Sequence, residues 1–167
     1  MPRDPCIPRD WEPGERATLV YLLHGNSVLL IRKLRGHGAG KVNAPGGRVE
    51  AGESVEAAAI REVAEEVGVR VQALELRARL RYEDPAEGLA MEGFAFVSSE
   101  FQGTPTRTAE ADPFWCRINE IPYGEMWEND RTWLPRVLRG ERIRADFRYC
   151  RSRLVAHTVI PDTNISV

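Results

Sequence analysis

The stretch Ser54–Gly68, SVEAAAIREVAEEVG, restricts what this chain can become more than any other. Ser54 is a side-chain acceptor placed for an N-cap, and Gly68 can take a left-handed residue's conformation just past a helix end. The pattern predicts a helix from about Ser54 to Val67. Glu62, Glu65 and Glu66 crowd its last two turns, where the helix dipole is negative and acids are misplaced. Glu62 and Glu66 also repel each other as an i,i+4 pair. At about 100° per residue the three carboxylates fall within an arc of about 100°, beside an arc of Ile60, Val63 and Val67 that should face the core. On its own such a stripe is usually a solvated acidic face. A divalent cation changes its meaning, because hard oxygen ligands on a rigid element make a magnesium or manganese site.

The rest of the chain frames that helix. Its 167 residues suffice for one domain with a core, and no apolar run approaches the roughly 20 residues of a membrane helix. Residues 1–16 hold four prolines in the first thirteen positions and no apolar signal-like run. They are expected to be a flexible lead-in, ordered only by docking, ahead of a single domain over 17–160 and a tail over 161–167. Cys6, Cys116 and Cys150 are odd in number and widely spaced, which fits reduced thiols in a cytoplasmic protein. A net charge of −2 gives no sign of a nucleic-acid partner, and no protein partner is inferable.

Ala17–Leu23 and Ser27–Lys33 read as a hairpin around His24-Gly25-Asn26, and RGHGAGKVNAPGG as a loop. VRVQALELRARLRY, LAMEGFAFVSSEF and FWCRINEI read as strands, and ERIRADFRYC with RLVAHTVI as a last hairpin. A second helix should end at Gly140. Because proline fits only a helix's first turn, Pro135 places its start near Thr132, with Trp127-Glu128-Asn129-Asp130 at its mouth. The order β-β-α-β-β-β-α-β-β suggests one mixed sheet with helices packed against it.

The first helix belongs to a longer pattern. From Gly47 through Glu53 to Arg61-Glu62-Val63-Ala64-Glu65-Glu66-Val67-Gly68-Val69, the chain fits G-x5-E-x7-R-E-U-x-E-E-x-G-U, with U apolar, at every position. Its seven fixed residues, at about 6 % usage each, would match by chance on the order of once in a million times. This is the Nudix box, and the chain resembles the Nudix hydrolases. The resemblance implies an α/β fold, an α/β/α sandwich with a mixed β-sheet, and magnesium-dependent hydrolysis of a diphosphate bond; manganese is a possible substitute. It implies metal ligation by the Gly46 carbonyl with Glu62, Glu65 and Glu66, and a water activated by Glu66 or Glu62, between which the sequence does not choose. Arg61 can orient a neighbouring glutamate, and Glu53 should pair with Arg61 to hold the loop.

Two further stretches narrow the resemblance. GHGAGKVNAPGGRVEAGE and FWCRINEIPYGEMWENDRTWLP, with QGTP at Gln102–Pro105, are similar to the oxidised purine nucleoside triphosphatases, the 8-oxo-dGTP diphosphatases of animals and their bacterial relatives. The likeness runs from about Thr18 to about Tyr149. It implies a small-molecule nucleotide substrate, cut to a monophosphate and pyrophosphate. Asn43 would read the base edge, Trp127 would be the wall on which the purine lies, and Glu128, Asn129 and Asp130 would meet its far side. Thr18, Lys33, Pro45, Gly46, Gly47 and Arg48 would line the nucleotide, and Glu110 would be a further acidic metal position. An amide and a tryptophan beside acids suit a purine on general grounds.

Ala17, His37 and Asp84 stand where the animal enzymes carry aromatics, and Asn129 where they carry aspartate, whereas Tyr82 and Tyr149 keep aromatic character. A more polar and roomier pocket is therefore expected. Asp130, without a charged neighbour, is expected to be ionised. His24, His37 and His157 show no metal-ligand spacing. Other readings are a Nudix hydrolase of RNA 5′-triphosphate ends or ADP-ribose, or a non-catalytic nucleotide-sensing module.

Overall fold

The computed structural model describes residues 6–167. β1 (Glu15–His24) and β2 (Ser27–Lys33) form the expected hairpin, with His24 opposite Ser27 and Gly25 at φ 57° in the two-residue turn. Within the stretch expected as loop lie β3 (Val42–Asn43), which pairs β2, and β4 (Gly46–Arg48), which pairs β1. The helix α1 (Val55–Val67) follows, with Ser54 accepting from the Ala57 amide at 3.1 Å and Gly68 ending it at φ 72°. VRVQALELRARLRY divides into β5 (Arg70–Val71) and β6 (Glu75–Asp84). β7 (Leu89–Ser98) and β8 (Phe101–Gln102) come next, then β9 (Ala111–Arg117), α2 (Asp130–Leu138), β10 (Ile143–Cys150) and β11 (Arg153–Pro161).

The main sheet runs β11-β10-β6-β7-β1-β2-β3, with β4 beside β1 and β9 beside β2, while β5 and β8 make a separate ribbon. Parallel β1–β7 and β10–β6 pairs beside antiparallel ones make it the mixed sheet the sequence suggested. The period-2 alternation of β1 feeds two cores. Val20 and Leu22 join Leu29, Ile31, Ala59, Val63 and Val67 under α1. Tyr21 joins Leu30, Leu80, Trp133, Leu134 and Phe147 under α2. The chain is thus an α/β/α sandwich.

Two expectations about the helices are corrected. Ile60 is 39 % exposed instead of facing the core, whereas Glu66 is 4 % exposed. The buried arc of α1 runs Val55, Ala58, Ala59, Val63, Glu66 and Val67, so Ile60 falls at its rim and an acid falls inside it. α2 begins at Asp130, two positions before Thr132, which puts Pro135 beyond the first turn. The early start is possible because tight i,i+3 bonds close the first turn: the Thr132 amide and hydroxyl both donate to the Asn129 carbonyl, at 2.9 and 2.6 Å. Arg131, whose carbonyl loses its helical donor to Pro135, is exposed and can turn to water.

Of the expected lead-in, residues 1–5 lie outside the described residues. Ile7 is buried, Arg81 donates to the carbonyls of Pro8 and Ile7 at 3.0 and 3.2 Å, and Glu15 already belongs to β1. Near the other end, the Ser166 carbonyl accepts from Arg79 at 3.1 Å. Among the described residues no helix is long and apolar enough to cross a membrane.

Candidate active site

The acidic residues are held by a compact frame. β4 lies against β1, with Thr18 opposite Gly47 and Leu19 opposite Gly46, while the Val20 amide donates to the Pro45 carbonyl at 2.8 Å. Both glycines are needed for close approach. A Cβ at Gly46 would overlap the Thr18 backbone. One at Gly47 would lie 2.5 Å from both carboxylate oxygens of Glu62. Glu62 therefore rests directly on the Gly47 backbone.

Arg61 gathers what surrounds it. Its Nε and Nη2 donate to the two oxygens of Glu53 at 2.7 and 2.9 Å, its Nη1 to Glu62 at 2.8 Å and Glu65 at 3.2 Å, and its Nη2 to the Arg48 carbonyl at 3.0 Å. Glu53 also accepts from the Glu50 amide at 3.0 Å. The Arg61 hydrogen bonds hold the Glu53 carboxyl down to about 2. The expected Arg61–Glu53 pair is present and closes the loop before α1.

The three glutamates are graded rather than aligned in one stripe. The Glu65 side chain is 55 % exposed and Glu62 13 %, while Glu66 is buried with Oε2 lacking any partner. Burial first, then the charges of Glu62 and Glu110, push the Glu66 carboxyl up to about 8; Lys33 and the nearby Gly46 backbone N–H oppose this. Burial also raises Glu62. The neighbourhood of Glu110 is built by Thr108, whose hydroxyl donates to the Glu66 carbonyl at 2.7 Å and accepts from the Glu110 amide at 3.2 Å. The Glu110 carboxylate is paired with Arg35 at 2.8 Å. Among the described residues no three His, Cys, Asp or Glu side chains converge closely enough to enclose an ion. The donor chemistry nonetheless suits one: hard oxygens, mutual repulsion, and a buried carboxylate oxygen with nothing bound to it.

At the other end, α2 and the loop before it place Asn129 and Asp130, 2 % and 3 % exposed, among Tyr21, Tyr82, Tyr149 and Trp133. Asn129 Oδ1, Asp130 Oδ2, Trp133 Nε1 and the hydroxyls of Tyr21 and Tyr149 are all buried without a hydrogen-bond partner. Buried polar atoms are rarely left so, and a group of them suggests a ligand that supplies the missing partners. Asp130, expected to be ionised, is harder to ionise than a free carboxyl. Burial pushes its carboxyl up to about 7, against the lowering effect of Trp133 beside it. Desolvation depends on the packing of distant strands, which a missing charged neighbour does not reveal.

Trp127 stands at the edge of this group, half-buried. His37 stacks on its ring at 5.1 Å and 16°, and the Lys41 ammonium lies 4.8 Å from its centre. An aromatic ring is thus supplied at His37 after all. Asp84 is spent elsewhere, accepting from the Arg151 and Ser152 amides at 3.3 and 2.8 Å. The Asp84 carboxylate is therefore committed to that turn, whereas His37 brings an imidazole to the face of Trp127.

Other anticipated residues are placed as follows. Thr18 is buried with its hydroxyl donating to the Gly47 carbonyl at 3.4 Å, and Asn43 Oδ1 accepts from the Ala44 amide at 2.9 Å. Glu128 accepts from the Leu154 amide at 3.2 Å. The Arg48 side chain is 77 % exposed and pairs with Glu15 at 3.0 Å, so only its carbonyl joins the Arg61 network. Sequence reasoning missed Tyr21, Trp133 and Thr108. All three look like ordinary core or loop residues until the fold brings them to the site.

Residues 13–137 match the family model described as NUDIX domain. The chain is 37 % identical over 132 residues to the oxidized purine nucleoside triphosphate hydrolase of Danio rerio, covering 79 % of this chain and 85 % of that one. It is 33 % identical over 81 residues to the 8-oxo-dGTP diphosphatase of Escherichia coli K12, covering 48 % and 61 %. A crystal structure of the mutator MutT protein from Bacillus halodurans superposes with a TM-score of 0.77 at 26 % identity, covering 89 % of this chain and 99 % of that one.

Proposed function

The chain belongs to the NUDIX domain family and is a hydrolase, and from that premise we propose that it uses magnesium to convert oxidised purine nucleoside triphosphates such as 8-oxo-dGTP to the monophosphate and pyrophosphate. The observation that carries this reading is a pair of unsatisfied sites, one on α1 and one at the start of α2. The lone Glu66 Oε2 stands among acids, and Asp130 Oδ2 stands with four other purine-compatible polar atoms, from Tyr21, Asn129, Trp133 and Tyr149.

Glutamates and a triphosphate repel each other directly. A bound magnesium ion, or manganese in its place, supplies the intervening positive charge and makes a coordinated water more acidic. Glu62, Glu66 and Glu110, with the Gly46 carbonyl, would hold the metal, and Glu65 would join from the solvent margin. Arg61 fixes Glu62 against the Gly47 backbone, so that this carboxylate is preset before substrate arrives. Glu66 keeps one oxygen uncommitted and is our choice for the group that takes the proton from water.

Trp127 would carry the purine on its face, with His37 and Lys41 moving aside or covering it. Asn129 offers an amide donor and acceptor, and Asp130 and Asn43 complete the reading of the base edges. The proposal includes a damage-removing role, which this substrate implies, and a cytoplasmic setting, which the free thiols of Cys6, Cys116 and Cys150 suit.

The test is a panel of normal and oxidised nucleotides, ADP-ribose and a 5′-triphosphate RNA, incubated with magnesium and scored for pyrophosphate against phosphate. Pyrophosphate from oxidised purine triphosphates, abolished by EDTA, is the expected result. Sole turnover of ADP-ribose or RNA ends would replace this reading.

A further inference from the structure

The hairpin joining β10 to β11 turns through Arg151 and Ser152, with Cys150 opposite Arg153. Both turn residues are left-handed, at φ 50° and 65°, and they are the only non-glycine residues with positive φ among the described residues. Two such residues in a row make the tight turn that suits a right-twisted hairpin, but the usual occupants are asparagine and glycine. Arginine and serine have a Cβ that disfavours this backbone and no local feature that favours it.

What holds the turn comes from another strand. Asp84, at the end of β6 and 2 % exposed, aims its carboxylate at the tip: Oδ2 accepts from the Ser152 amide at 2.8 Å and Oδ1 from the Arg151 amide at 3.3 Å. A buried carboxylate accepting two backbone amides is a strong, directional clamp. The hairpin is fixed again two residues later, where the Leu154 amide donates to Glu128 at 3.2 Å. Tyr149 lies opposite Leu154, across a register shift between Arg148 and Tyr149. Its ring is buried beside Asn129 and Asp130, and its hydroxyl is among the unpartnered atoms there.

We propose that Asp84 is a positioning residue for the base-binding site: it holds the Arg151–Ser152 turn in its left-handed form and thereby sets Tyr149 against the Asn129–Asp130 edge. The proposal rests on the reading of that edge as the place of the purine. Asp84 touches no substrate. Its removal frees the hairpin tip, lets Tyr149 drift from the pocket, and weakens nucleotide binding without reaching the glutamates of α1.

The experiment compares wild type, Asp84→Ala, Asp84→Asn and the triple variant Asp84→Ala/Arg151→Asn/Ser152→Gly, whose turn favours the left-handed form unaided. Amide exchange at residue 152 and steady-state kinetics with 8-oxo-dGTP are read on the full chain. Asp84→Ala should exchange at least tenfold faster and raise KM at least tenfold with kcat within about twofold, by loss of a charge-assisted clamp. The triple variant should recover KM to within about threefold of wild type, because its turn residues restore the geometry. Asp84→Asn, with one acceptor left, should lie between, and it carries the test if Asp84→Ala does not fold. Unchanged exchange, a fall in kcat at constant KM, or no recovery in the triple variant would overturn the proposal. A wild type that uses no purine triphosphate would instead sink the substrate reading, while the exchange rates would still decide whether Asp84 holds the turn.

Discussion

Arg61 holds Glu53 with two nitrogens, at 2.7 and 2.9 Å, while its third donates to Glu62 at 2.8 Å. One guanidinium thus closes the loop before α1 and orients an acid of the candidate metal site. Because the pair pulls the Glu53 carboxyl from 4.5 down to about 2, its contribution is present above pH 4.5 and lost as pH falls toward 2. Glu53→Gln should lower the melting temperature by a constant amount between pH 5 and 8, with the difference from wild type shrinking below about pH 4.5. Thermal melts of both proteins across that range check it. A difference that grows on acidification would contradict the pairing.

Glu66→Gln should leave the fold intact and lower kcat by at least about a hundredfold, the scale expected for a group central to a proton transfer or a metal site. Burial and the Glu62 charge disfavour an ionised Glu66, a cost that a neutral amide of the same size does not carry, so metal-free stability should not fall. Circular dichroism melts beside single-turnover rates would test both parts. More than about a tenth of wild-type kcat would remove Glu66 from the centre of the reaction.

Gly47→Ala should displace Glu62, since the new Cβ falls 2.5 Å from both its carboxylate oxygens. The side chain can swing away, so the protein should fold, but kcat should drop by at least about tenfold through loss of a preset geometry. Kinetics at saturating magnesium, with a melting curve as control, decide it. Full activity would mean that the Glu62 position does not matter.

Because burial raises the Asp130 carboxyl to about 7, base choice should depend on pH. Below that value its protonated carboxyl can donate a hydrogen bond, and above it the carboxylate only accepts. Guanine-type bases present adjacent N–H donors, which the ionised form and the fixed acceptor of Asn129 satisfy together. The ratio of kcat/KM for 8-oxo-dGTP over 2-oxo-dATP should therefore rise between pH 6 and 9, steepest near 7. Asp130→Asn should make the ratio flat, and Asn129→Asp should broaden the choice and steepen its pH dependence. A wild-type ratio constant across that range would refute the role given to Asp130.

The parts of this structure legible in the sequence are those fixed locally. Ser54 and Gly68 bound α1 because capping needs only neighbouring residues. The hairpin of β1 and β2 shows in two apolar runs with a glycine between them. The short strands β3 and β4 do not, since two or three residues, two of them glycines in β4, carry no alternation and pair only because β1 and β2 offer them edges. At the site, the residues of the Nudix box and the Arg61–Glu53 pair could be named beforehand. The gradient of exposure from Glu65 to Glu66 could not, nor could the raised Asp130 carboxyl, because both depend on which strands lie over them. Asp84 looked like a pocket residue and proved to face a turn 67 residues away.

The measurement that tests the account most directly is kcat/KM for 8-oxo-dGTP beside dGTP, with magnesium and with pyrophosphate as the scored product. The oxidised nucleotide should be preferred by at least about tenfold, roughly the discrimination that a buried polar site gives when one hydrogen bond is gained or lost. Equal use of the two nucleotides, or release of phosphate in place of pyrophosphate, would contradict it.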